Sequence, residues 1–209
     1  MIRLVVKGLL ATILSAATAV GVGDAVAHSF RVGFIAPTTG AEMRSGQEAL
    51  DGFMLATRER DSHPDETSDG HLGGLDVHVT VIDSSRGQEE TLHQVERLVV
   101  AGGTEFLTGL VSPRLREEVT RIGGGKTRLI DPRKTWLPPS DDSASGELLT
   151  MNKIPFAVAF TSEYGYPPTR SAARGYTAAR LIDHLVRAVG GDLSNSDVID
   201  FLLWEAGPR

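Results

Sequence analysis

The chain has 209 residues, with 21 Lys and Arg against 27 Asp and Glu, a formal charge of −6, 41% hydrophobic residues and no cysteine. That is ordinary globular composition with room for one good core, and it excludes disulfide and cysteine–metal chemistry. A mildly acidic chain also lacks the basic face that nucleic acid requires.

The first 27 residues read differently from the rest. Arg3 and Lys7 give a positive start, residues 8–22 are apolar or small, and Ala25-Val26-Ala27 supplies an A-x-A cleavage pattern. This is the layout of a secretory signal peptide, and the apolar run is short for a span of about 20 residues. Export and cleavage after Ala27 are expected. The segment removed carries Arg3, Lys7 and Asp24, so the remainder stays mildly acidic.

Residues 31–36 (RVGFIA) read as a first strand. The stretch at 36–52, APTTGAEMRSGQEALDG, then poses a question: a Pro-Thr-Thr-Gly turn and a Ser45-Gly46 pair stand between a strand and a helix. Such a turn is either punctuation or a ligand site, because a helix N-terminus leaves N–H groups unpaired and attracts anions. The spacing of Leu50, Phe53, Met54 and Thr57 predicts a helix over 47–60. Residues 61–74 read as a polar loop.

Residues 75–82 alternate Leu75, Val77, Val79 and Val81 with polar residues, a period-two strand. A helix over 91–100, a strand over 105–108, a helix over 113–122 opened by Pro113, and a short strand over 128–130 follow. Residues 136–153 hold Pro138-Pro139 and a run of Ser and Asp, and read as a linker. Helices are expected over 156–164, 171–189 and 196–203.

The order βαβαβαβ implies an α/β fold, a doubly wound parallel sheet with helices on both faces, three layers in all. Residues 28–135 hold the βα units and 154–209 the late helices. In such sheets ligands bind beyond the carboxyl ends of the strands. The turns at 37–45, 83–88, 109–114 and 131–135 are therefore the candidate site.

Five stretches carry a family resemblance. VGFIAPTTGAEMRSGQEALDGFMLA resembles the opening of type I periplasmic binding proteins, the branched-chain amino-acid (Leu/Ile/Val) group of ABC transporters. GGLDVHVTVIDSSRGQEETLHQVERLV, FLTGLVSPRLREEV, LIDPRKT and FAVAFTSEYGYPPTRSAARGYTAARLIDHLVRAVGGD resemble later parts of that family in the same order. The resemblance implies a substrate-binding component outside the cytoplasm, periplasmic in location, that takes a small amino acid or carboxylate and serves an ABC permease. It implies no enzyme activity and no cofactor. Family members have two lobes, and the matching parts here belong to the N-terminal one. The chain is thus expected to be a single lobe, lacking half of the usual pocket.

The resemblance also points to residues. Ser45 stands where the family often places a ligand-contacting residue, and helix capping is its other role. Ser84 and Ser85 follow the second strand, where a polar turn explains them equally. Ser112 falls near a family serine that meets a ligand carboxylate, although Pro113 beside it has no N–H to offer. Thr135 matches the family's threonine after the fourth strand. Asp131 replaces the usual Ser, and Arg133-Lys134 stand where small residues are usual. Arg133 is positioned either to fill the site or to meet an anion.

Other motifs fail on inspection. Gly123-Gly124-Gly125-Lys126-Thr127 lacks the first glycine of a phosphate loop and follows a helix, so it reads as a helix stop. His63 and His71 lie in the acidic 61–74 loop at no metal-ligand spacing, and no metal site is expected. No Ser-His-Asp, H-E-x-x-H or paired-carboxylate arrangement appears. A protein-interaction module with no small-molecule ligand is the alternative reading, and a homodimer or a second-lobe partner would rebuild a two-walled cleft.

Overall fold

The computed structural model describes residues 29–59, 67–132 and 148–205. The apolar run of β1 (Ser29–Ala36) is buried on both faces, as a central parallel strand must be. It pairs in parallel with β3 (Leu75–Asp83) on one side, Val32 facing Val79, and with β4 (Phe106–Gly109) on the other, Val32 facing Phe106. β5 (Arg128–Leu129) continues in parallel from β4, and β2 (His71–Leu72) adds an antiparallel edge to β3. The sheet order is β2-β3-β1-β4-β5.

β2 departs from the loop expected over 61–74. Gly73 and Gly74 take φ of 68° and 89°, so they close a two-residue hairpin that the polar composition around them disguised. His71 accordingly sits in a strand, its ring nitrogen 2.7 Å from Asp76, and not in a solvated loop. His63 lies outside the described residues. The period-two pattern of β3 holds, but its cover runs out: Val77 is buried, Val79 is partly buried and Val81 is exposed.

Among the described residues six helices flank the sheet: α1 (Met43–Arg58), α2 (Gln88–Val100), α3 (Pro113–Gly123), α4 (Phe156–Tyr164), α5 (Arg170–Ala188) and α6 (Ser196–Glu205). α1 starts four residues before the expected 47 and α2 three before 91. Their exposed first turns carry no apolar period to mark them. One core joins Phe30, Phe34 and Phe106 of the sheet to Phe53 of α1 and Tyr176 of α5. The other joins Ile35, Ile82 and Leu107 to Val95 of α2 and Leu115 and Val119 of α3. The outcome is the three-layer α/β sandwich expected.

α1 and α5 are held unusually close by two glycines. A Cβ on Gly52 would strike the carbonyl of Ala172, and one on Gly175 would strike the carbonyl of Ala49. Next to Gly175, the buried Tyr176 donates its hydroxyl to the Glu59 carboxylate at 2.9 Å, tying α5 to the end of α1. The triple glycine after α3 is a helix stop: Gly124 takes the left-handed conformation at φ 58° and returns its N–H to Thr120. Of the expected 136–153 linker, residues 148–153 are described, and a bridge pairs Leu149 with Pro155.

Candidate functional site

Because β1, β3, β4 and β5 run in parallel, their carboxyl ends share one edge of the sheet. The Pro-Thr-Thr-Gly turn leaves that edge and enters α1, closed by the Met43 N–H donating to Gly40 at 3.3 Å. Gly46 packs against the Pro37 carbonyl, where any Cβ would collide with backbone. The Ser-Gly pair thus has a steric reason: only glycine lets the helix start so close to the turn it leaves.

Asp83, the last residue of β3, stitches this turn to the next. Its carboxylate accepts from the Thr38 N–H at 3.1 Å, the Ser85 N–H at 3.0 Å and the Ser85 hydroxyl. The Ser85 hydroxyl also bonds Thr39 at 2.7 Å. These donors, the Ser85 hydroxyl first and then the two N–H groups, hold the Asp83 carboxyl far below the usual carboxylate range despite partial burial. Arg86 lies 3.4 Å away as a counter-charge.

On the other side, Gly109 ends β4 at φ 114°, where a Cβ would strike Ile35, and Leu110 then donates to the Ile35 carbonyl at 2.7 Å. Ser112 caps α3, accepting from the Leu115 N–H at 3.3 Å, with Pro113 in the first turn. Arg116, one turn further along α3, meets Asp131 at the end of β5 with 2.6 Å between Nη2 and Oδ2. The Asp131 side chain is 7% exposed and that of Arg116 20%.

A cavity of about 620 Å³ opens beside the β1 turn. Ala36, Pro37, Leu50 and Val81 give it apolar walls, and Glu48, Asp51 and Tyr166 stand on its polar side. Both carboxylates are engaged: Thr169 donates to Glu48 at 2.6 Å, Arg44 donates to Glu48 at 2.8 Å, and the Tyr166 hydroxyl donates to Asp51. The Thr169 hydroxyl foremost, with Arg44, holds the Glu48 carboxyl below its ordinary range. Burial first, then the Asp51 carboxylate, pushes the Tyr166 phenol upward.

The expected site residues fall out as follows. Ser45 is the third residue of α1, half-buried; Glu42 holds the cap position, so capping is not what Ser45 does. Ser84 opens a single 3-10 turn after β3 and is half-buried. Ser112 is committed to its cap, and Asp131 to an ion pair with Arg116. Arg133 and Thr135, with Lys134, lie outside the described residues. Asp83, Thr38 and Arg116 are the residues that sequence reasoning missed. Asp-Ser-Ser at a strand end is the signature of an Asx turn and signalled the first. Nothing in the sequence marks Arg116, whose partner lies on a different element.

Among the described residues, no group of three or more His, Asp and Glu is placed to hold a metal, and no helix is long and apolar enough to cross a membrane. No protein-family model and no curated protein matches the sequence. Solved structures do match. A benzoate-bound solute-binding protein of an ABC transporter from R. palustris shares 13% identity, with 84% of this chain and 85% of that one covered and a TM-score of 0.62. An amino-acid ABC transporter substrate-binding protein from Pseudomonas fluorescens Pf-5 shares 12%, with 82% of each chain covered and a TM-score of 0.57. An ABC transporter substrate-binding protein from Sphaerobacter thermophilus shares 12%, with 84% and 85% covered and a TM-score of 0.52. The likeness establishes the fold, which is that of the type I periplasmic binding proteins.

Proposed function

We propose that the chain is a solute-binding lobe that holds a small amino acid or carboxylate at the carboxyl edge of its sheet, is exported after cleavage near Ala27, and delivers to an ABC permease. The observation that carries this reading is the convergence at one edge of four strand ends, whose turns are fixed in place by Asp83 across β1 and β3 and by the Arg116–Asp131 pair across α3 and β5. That is where a doubly wound sheet binds ligands, and the fold is shared with solved proteins named for amino-acid transport or bound to benzoate. A single lobe covers only one side of a small ligand, so affinity is weak unless a second copy or another chain supplies the facing wall. Binding and release need no catalytic group.

The second reading is an interaction module with no small-molecule ligand. Met43 and Val81, large apolar side chains exposed near the same edge, favour it.

A thermal-shift screen of the purified protein against amino acids and aromatic carboxylates, run beside light scattering, separates the two. A rise of several degrees with one solute class, lost in Ser112→Asp, supports the solute-binding reading. That variant keeps the α3 cap, since Asp caps as well as Ser, but sets a negative charge against the ligand. A folded protein with no hit in any class sinks it in favour of the interaction module.

A further inference from the structure

Arg116 and Asp131 form the most deeply buried ion pair at the proposed edge among the described residues. Their geometry is lopsided. A guanidinium presents Nε and Nη2 as a two-pronged fork that matches the two oxygens of a carboxylate. Here Asp131 approaches Nη2 at 2.6 Å, while Nε is buried with no hydrogen-bond acceptor among the described residues. The fork is half filled.

The other described arginines in the turns of this edge, Arg44, Arg86 and Arg114, are exposed, and Arg86 is set against Asp83. Arg116 therefore carries the buried positive charge, and an internal carboxylate occupies it. A bound carboxylate could use both prongs where Asp131 uses one. Exchange would replace a single contact with a paired one and would satisfy a buried N–H whose vacancy is costly.

We infer that Arg116 is the carboxylate-recognising residue of this edge and that Asp131 stands in for the ligand's carboxylate when no ligand is bound. Asp131 thereby sets specificity: a simple monocarboxylate must displace it, and selectivity for carboxylates is held back by the pair. The inference rests on the solute-binding reading for its biological role, but the chemistry of the pair can be tested apart from it.

The test uses benzoate as the probe, benzamide as its uncharged counterpart and sodium chloride at matched ionic strength. Asp131→Ala removes the stand-in and leaves the Arg116 charge uncompensated, a state that an added anion relieves. Binding is read by titrating amide and arginine Nε–H resonances. The expected result is benzoate affinity at least tenfold above that of the unaltered protein, with no gain for benzamide or chloride, and loss of the gain in the Arg116→Gln/Asp131→Ala double variant. Should Asp131→Ala fail to fold, Asp131→Asn keeps the side-chain shape without the charge and carries the same expectation.

A folded Asp131 variant that gains no benzoate affinity overturns the inference, and so does a gain that survives removal of Arg116. An unaltered protein that binds a solute regardless of either substitution keeps the solute-binding reading and overturns this one. The converse result, no solute for the unaltered protein but the expected gain in the variant, removes the native role and leaves the assignment of Arg116 standing.

Discussion

Replacing Gly175 with Ala sets two effects of opposite sign against each other. In an exposed helix interior the change stabilises by up to about 1 kcal/mol, because glycine is a poor helix former. In this fold the new methyl would lie roughly 1 Å inside the 3.0 Å that real Cβ atoms keep, and its neighbour is the backbone carbonyl of Ala49, which cannot rotate away. The helices must therefore part along the seam that joins Phe53 to Tyr176, and overpacking of this kind costs about 1–3 kcal/mol or more. The collision with rigid backbone places the cost at the upper end, so the net effect is a loss of about 2 kcal/mol. For a protein of this length that lowers Tm by roughly 4–8 °C. Thermal unfolding followed by circular dichroism, with a urea titration for the free energy, is the assay. A Tm equal to or above that of the unaltered protein would refute the close approach of α1 and α5. The pair adds a second check. Gly52→Ala forces the same seam apart, so the double variant should lose less than the sum of the two singles.

Three further outcomes follow from named contacts. Asp83→Asn keeps the shape of the turn but loses the charge that three donors serve, at a cost of about 1–2 kcal/mol at pH 7. Because the native Asp83 carboxyl is held far below its unfolded value, its contribution is complete above about pH 5 and fades as pH falls toward the native value; the gap between the urea midpoints of the two proteins should narrow steadily below about pH 4 while staying open at pH 3, and a gap unchanged down to pH 3 would contradict the assignment. Ser112→Ala removes the α3 cap and should cost about 1 kcal/mol in urea unfolding, whereas Ser112→Asp should cost little. Tyr176→Phe leaves the Glu59 carboxylate short of a buried donor and should cost about 1–3 kcal/mol, read as a lower urea midpoint.

Much of the fold was legible because it is written in local periodicity. The double-faced apolar run of β1, the alternation in β3 and the spacing of Tyr176, Ile182, Leu185 and Val186 along α5 report burial directly. What misled was cover, not pattern. Val81 continues the apolar alternation of β3, yet it is left exposed, since no periodicity records where a neighbouring helix stops. The Gly73-Gly74 hairpin was hidden by polar surroundings, and the first turn of α1 by holding only one large apolar residue, the exposed Met43.

The site divides in the same way. That strand-to-helix turns would form the edge followed from the βα order alone, because parallel strands force their carboxyl ends together. Which side chains would be free there did not. Ser112 is spent on a cap three residues along its own chain, and that use was within reach of sequence rules. Asp131 is spent on Arg116, fifteen residues away on a helix of a different layer, and Asp83 on Thr38, forty-five residues away on a neighbouring turn. Residue order determined the layers, the direction of the strands and the edge where chemistry gathers, because those depend on spacing along the chain. The tertiary structure alone decided which charges are already paired and how closely α1 meets α5, because those depend on distances between elements that sequence separation does not encode.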